Sequence, residues 1–303
     1  MGLKSYFTDS AKGYIFSNLF AFGSIGITRL FNSSPGVLIY AEFVIVPVLM
    51  GMICAWYWKD QDYKTKTLVS RAILNGLLAI LLSVIFLGEG MICLLIVSPL
   101  IFGFLLTGLF TGKAMFKRRR KHLNVSVVSL LVVLFIVDSV SEHHYESLVS
   151  DVIIVDAPPE KVWKHVVAFD KIQQEENFWL FKAGMPSPVA ATVDGHYEGA
   201  GRKCIFSNGY VFDEIMVTYK PAKELTFDII KQPKDPEIMG HIDILRGQFL
   251  LQDNGDGTTT LVGNSWYRLY VFPIWYYDLW AERITRNVHL RVMQHIKLLS
   301  ESK

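Results

Sequence analysis

Three cysteines, eight histidines and 28 acidic side chains are the groups in this chain that could carry catalysis or hold a metal. Their spacing argues against most such chemistry. Cys54, Cys93 and Cys204 form no CxxC and no Cys/His pair at zinc spacing, and they are too few for a disulfide framework. The run "EHHYE", residues 142–146, sets two imidazoles between carboxylates. Adjacent residues point apart on a helix, so this run misses the i,i+4 geometry of a helical zinc site and reads as a solvated linker. "DNGDG", residues 253–257, lacks the acidic spacing and closing glutamate of a calcium loop and reads as a hairpin turn. Glu214 follows Asp213 in the strand-like "YVFDEIMV". Alternation turns one of the two inward without saying which, and an exposed acid or salt bridge is the plainer reading of Glu214. Two more histidines lie on a helical stretch near the C-terminus, where His295 shares the apolar face and His289 is expected to face solvent. No catalytic residue, cofactor site or metal site is assigned.

The elements that must position these groups fall into two halves. Hydrophobic residues make up 51% of the chain and charged residues 19%, but from Val37 to Val137 nearly every charge falls in two short clusters. A bilayer-spanning helix needs about 20 mostly apolar residues. Residues 37–58, 68–87 and 91–111 meet that requirement, and residues 123–140 form a shorter fourth run. Glu42, Arg71 and Asn75 are polar exceptions, and polar groups in lipid are costly; Arg71, near the start of its run, could snorkel to the headgroups. Ahead of them, residues 1–36 include "GYIFSNLFAFGSIGITRLF", residues 13–31, read as an amphipathic or partly inserted helix that could form a fifth span.

Orientation follows from the connections. Lys59, Lys64 and Lys66 follow the first span, and Lys113, Lys117, Arg118, Arg119, Arg120 and Lys121 follow the third, whereas "GEG" at 88–90 has no basic residue. Short basic loops stay cytoplasmic. The fourth run then leads outward, and the C-terminal half is expected on the outer face of the cytoplasmic membrane. "FKRRRK" is a topology determinant rather than a nucleic-acid patch, and a net charge of +2 gives no reason to expect a nucleic-acid partner.

From Ser150 the pattern changes to alternation, the mark of strands with one buried face. "SDVIIVDAPPEKVWKHVVAF", residues 150–169, reads as a strand, a Pro-Pro stop and a helix with Val162, Val166 and Phe169 on one face. A short helical stretch around residues 170–181 precedes about six antiparallel strands, with hairpins at Asn208-Gly209 and "DNGDG". A helix over residues 274–300 closes the chain, with Tyr277, Ala281, Ile284, Val288, Val292, His295 and Leu299 at helical spacing. A curved sheet gripping one long helix leaves a mostly apolar gap between them.

"VDAPPEKVWKHV", the hairpin with "GDGTTTL" and the terminal helix resemble the START-like (SRPBCC) superfamily of polyketide cyclases and dehydrases, lipid-transfer domains and pollen-allergen proteins. The resemblance covers residues 150–302. It implies an α+β helix-grip domain, residues 150–303, following an α-helical membrane domain of four or five transmembrane helices. It also implies a hydrophobic ligand. The residues expected to line its cavity are Trp179, Tyr197, Phe212, Glu214, Phe227, Trp266, Arg268 and Tyr277, with His196 a further candidate. The expected function is a membrane-anchored binding protein for a lipid or other hydrophobic small molecule. The alternatives are a cyclase/dehydrase-type enzyme on a lipophilic substrate and a ligand sensor signalling through the spans. The expected partners are the lipid bilayer and the ligand.

Overall fold

The computed structural model describes residues 3–31, 44–117, 129, 133, 145–234, 241–271 and 273–302. The chain divides into two compact units, one of residues 1–143 with 270–273 and one of residues 144–269 with 274–303.

The N-terminal unit contains α1 (Leu3–Phe31), α2 (Val46–Trp58), α3 (Thr65–Leu87) and α4 (Met91–Lys117). Two of these, α3 and Met91–Phe116 of α4, are long and apolar enough to cross a membrane, fewer than the four or five expected. The α2 helix has 13 residues, and residues 37–43, with Glu42, lie outside the described residues. So does the fourth run, 123–140, apart from Ser129 and Val133.

The segment expected to be amphipathic or partly inserted belongs to one continuous helix. Its outer side chains are apolar, with Ile15, Phe16, Leu19 and Ile27 exposed, while Ser17 and Asn18 are buried. A helix on a water-facing surface would have its polar face outward; an apolar outer face is what the partly inserted alternative calls for. The buried polar groups meet one another. Asn75 donates from Nδ2 to Ser17 Oγ at 3.0 Å and accepts at Oδ1 from Asn18 Nδ2 at 2.8 Å. Arg71 reaches Ser10 Oγ, with its guanidinium 4.3 Å from the Tyr63 ring centroid. Helices α2 and α4 meet backbone to backbone at two glycines. A Cβ on Gly51 would lie 2.1 Å from Leu105 O, and one on Gly108 would lie 1.9 Å from Val48 O. Only glycine permits that approach.

The C-terminal unit is built on β1 (Tyr145–Val155), β2 (Pro188–Val193), β3 (Gly201–Phe206), β4 (Val211–Lys220), β5 (Glu224–Lys231), β6 (Ile242–Asp253) and β7 (Thr259–Leu269). They form one antiparallel sheet in the order β1-β7-β6-β5-β4-β3-β2. Helices α5 (Pro159–Val167) and α6 (Trp179–Lys182) lie between β1 and β2, and α7 (Ile274–Glu301) closes the chain. This is the helix-grip order of elements. Strand β1 starts at Tyr145, not Ser150, so two residues of the supposed linker are paired: Tyr145 with Leu269 and Glu146 with Arg268.

Local chemistry explains the elements. Pro159 occupies the first turn of α5, where a missing N–H leaves no bond unmade, and Val162 N–H closes the turn on Pro158 O at 3.2 Å. At the β3–β4 hairpin Gly209 takes the positive φ (85°), while Asn208 does not. The core packs Val162, Trp163 and Val166 of α5 and Val292, Met293 and Ile296 of α7 against Met216, Leu225, Phe249, Leu251 and Leu261 of the sheet.

The buried stripe of α7 differs from the expected one. Tyr277, Ala281, Thr285, His289, Val292, Met293 and Ile296 are buried, whereas Ile284 and Val288 are only half-buried. The apolar spacing had favoured Ile284 and Val288. The helix instead turns Thr285 and His289 towards the sheet, because His289 finds polar partners there.

Candidate ligand-binding interior

Antiparallel register sorts each strand residue to one face of the sheet. The face covered by α5 and α7 carries Arg202, Cys204 and Phe206 of β3; Phe212, Glu214 and Met216 of β4; and Leu225 and Phe227 of β5. It also carries Phe249 and Leu251 of β6, Leu261, Ser265 and Tyr267 of β7, and Val149, Asp151 and Val155 of β1. This face is not filled evenly. At one end α5 and the last turns of α7 seal it, with Met216, Leu225, Leu261, Met293 and Ile296 wholly buried. At the other end the Phe206 and Phe212 rings meet at a tilt of 43°, centroids 5.0 Å apart, point to the same interior and remain half-buried, as does Cys204. The α6 helix and the first turns of α7 border this end, where Trp179 and Trp280 meet edge to face at 6.4 Å and Trp275 and Leu279 are exposed. Arg291 ties the connection before β2 in place, donating from Nε to Pro188 O at 3.1 Å and from Nη1 to Gln174 O at 3.3 Å.

The structure brings four of the eight expected pocket residues into this interior: Phe212, Glu214, Phe227 and Tyr277. Trp179 stands at its border, 46% exposed. Trp266 and Arg268 are corrected. They lie on the outer face of β7, a one-residue step from Ser265 and Tyr267, and Arg268 Nε donates to exposed Glu146 at 3.0 Å. Tyr197 is also corrected: it is 61% exposed in the β2–β3 connection, beside His196, which reaches Tyr219 Oη at 3.4 Å near the sealed end.

Glu214 is the inward member of the Asp213–Glu214 pair. It forms a salt bridge with Arg202, and the two side chains are 4% and 3% exposed. Arg202 also donates from Nε to Val167 O at 3.2 Å and lies 4.5 Å from the Phe227 ring centroid. Burial raises the Glu214 pKa, and Arg202 opposes that rise. Cys204 faces the same space, and its pKa is pushed up to about 12 by burial and then by the Glu214 charge. It is a thiol and not a nucleophilic thiolate.

A second polar cluster was missed in the sequence. Ser265 Oγ lies 2.7 Å from His289 Nε2, and His289 Nδ1 lies 2.9 Å from Asp151 Oδ2. Asp151 and His289 are 8% and 7% exposed, and Ser265 is half-buried. A carboxylate only accepts, so Nδ1 carries the proton and Nε2 of the neutral ring accepts from the serine hydroxyl. Burial lowers the His289 pKa; Asp151 opposes that shift, and Arg286, 3.4 Å from Asp151, reinforces it. The expectation that His289 faces solvent is thus overturned. One signal was present: Asp151 shares the odd-numbered parity of Val149, Ile153 and Val155, which made it an inward acid in need of a partner. Farther along β7, Tyr267 Oη donates to Asp278 Oδ1 of α7 at 2.6 Å. Among the described residues no three carboxylate, imidazole or thiol groups gather as a metal ion would require.

No protein-family model matches the chain, and no curated protein does. Among solved structures, the chain is similar to norcoclaurine synthase from Thalictrum flavum, solved with dopamine and hydroxybenzaldehyde: 10% identity over 53% of this chain and 90% of that one, TM-score 0.36. The Zhui aromatase/cyclase from Streptomyces sp. R1128 shows 11% identity over 52% of this chain and 94% of its own, TM-score 0.36. Ara h 8.0201 shows 11% identity over 52% of this chain and 100% of its own, TM-score 0.36. None of the three reaches an identity or score from which function follows.

Proposed function

We propose that the C-terminal unit holds a lipid or other hydrophobic small molecule between its sheet and α7, at a bilayer to which the N-terminal helices anchor it. The observation that carries this reading is the Phe206–Phe212 pair. Both rings face the interior by register, yet neither is buried, while Glu214 and Met216 farther along β4 are. Inward-facing aromatic surface left open to a probe is what an apolar ligand site offers. Strand β1 starts at this open end, since Tyr145 pairs with Leu269.

Anchoring is supported by the lengths of α3 and α4 and by the exposed Leu74, Leu77, Leu81, Ile85 and Phe86 around a buried Asn75. That arrangement, polar inside and apolar outside, suits lipid as the surrounding solvent. The basic loops support an outer-face position for the domain, which reporter fusions to the C-terminus test directly. A fusion active only in the cytoplasm reverses the orientation. The cyclase or dehydrase alternative gains nothing from Glu214, whose carboxylate is already held by Arg202.

A photoactivatable fatty-acyl probe added to membranes containing the full chain tests the site. Crosslinks should fall on the β3–β4 hairpin and α6 peptides. Crosslinks confined to residues 1–143 would sink the reading.

A further inference from the structure

We propose that Ser265, His289 and Asp151 form a hydrolytic centre that cleaves an ester of a lipophilic molecule admitted to this interior. The inference rests on the ligand-holding reading above and adds a reaction to it.

The three residues come from three elements, β7, α7 and β1, and meet in one line: hydroxyl to Nε2 at 2.7 Å, Nδ1 to carboxylate at 2.9 Å. These are the roles of nucleophile, base and orienter, whose recognition depends on geometry and not on order in the chain. The base must be neutral to accept a proton, and burial holds His289 in that form. Asp151 fixes the tautomer, and Arg286 lies 3.4 Å from the other oxygen of that carboxylate. The neighbours of Ser265 on its face, Gly263 and Tyr267, are buried, whereas Ser265 is only half-buried. Val149 and Gly247 pair with it across the sheet, so the flanks of the hydroxyl are apolar. That environment selects an apolar acyl group.

The reaction balances without metal or redox partner. Ser265 Oγ bonds to the acyl carbon as its proton passes to His289 Nε2. The ester C–O bond breaks, and the leaving alcohol takes that proton. Water then attacks the acyl-serine, giving its proton to His289 and releasing the carboxylic acid, and Ser265 recovers its proton. The Asp151 charge stabilises the imidazolium formed in each half.

The test is active-site labelling of the full chain in mild detergent with a fluorophosphonate, followed by peptide mapping, and turnover of p-nitrophenyl laurate. Ser265 should carry the label in the wild-type protein, so the primary readout needs no variant. Ser265→Ala and His289→Gln should lower laurate turnover by on the order of 10²-fold or more, and Asp151→Asn should slow labelling of an otherwise intact serine. A purely structural cluster would leave Ser265 unlabelled. An unlabelled Ser265 in protein that still captures the fatty-acyl probe overturns this inference alone. Failure to capture any apolar probe overturns the ligand-holding reading, and this inference with it.

Discussion

Neutralising Glu214 should cost far more stability than changing a surface acid, because its partner would then be a buried charge with nothing to offset it. Arg202 is 3% exposed, and the described structure gives its guanidinium the Glu214 carboxylate, the Val167 carbonyl and the face of Phe227. Glu214→Gln keeps the shape and an acceptor oxygen but removes the opposing charge. Breaking a buried pair from one side typically costs about 3–5 kcal/mol. Arg202→Met, which leaves the carboxylate alone, should cost a similar amount. The double variant Arg202→Met/Glu214→Leu removes both charges and should return to within about 1 kcal/mol of the wild type, since apolar replacement of a buried pair is often neutral. Hydrogen exchange of the full chain reads this locally. With one decade of rate per roughly 1.4 kcal/mol, the amides of Met216, Leu225 and Phe227 should exchange on the order of 10² to 10⁴-fold faster in each single variant. In the double variant most of that acceleration should disappear. The reasoning is refuted if Glu214→Gln exchanges within about threefold of the wild type, or if the two single losses simply add.

Gly108→Val should separate α2 from α4, because even a Cβ there would lie 1.9 Å from Val48 O; the expected result is loss of folded protein from detergent extracts, with Gly23→Ala, which meets nothing within 4 Å, as the tolerated control. The pKa values of His165, His289 and His295 are each lowered in the folded protein, chiefly by burial. The unfolded chain therefore binds more protons around and just below pH 6.5, and the histidine contribution to stability falls as pH drops from about 7.5 to 5.5. Chemical denaturation at the two pH values should show a smaller drop for His289→Gln than for the wild type, and an equal drop would contradict the assignment. Arg291→Ala should release residues 170–176, read as faster amide exchange there with α5 unchanged.

How much of this was legible in the sequence depended on the kind of signal. The Pro158-Pro159 stop, the α5 face and the span of the last helix were readable because proline geometry and 3.6-residue periodicity act locally. The start of β1 was not, because Tyr145 and Glu146 become strand only through pairing with Leu269 and Arg268, more than a hundred residues away. The candidate site divided along the same line. Alternation could state that one of Asp213 and Glu214 points inward, but choosing between them requires knowing that Arg202 stands opposite Glu214. Trp266 and Arg268 drew attention by residue type, and a single residue of register sends both to the outer face. His289 lies off the apolar spacing of the last helix and was expected to face solvent. Its burial is intelligible only with Asp151 and Ser265 in place, and no local pattern joins positions 151, 265 and 289.

The central claim, that the interior beside Phe206 and Phe212 carries a hydrophobic molecule, is tested most directly by native mass spectrometry of the full chain extracted gently from membranes. The comparison protein is the double variant Phe206→Asp/Phe212→Asp, which leaves the helical unit untouched. A lipophilic molecule bound in near-unit ratio to the wild type and missing from the variant is the predicted result. The same bound molecules on both proteins, or none on either, would contradict it.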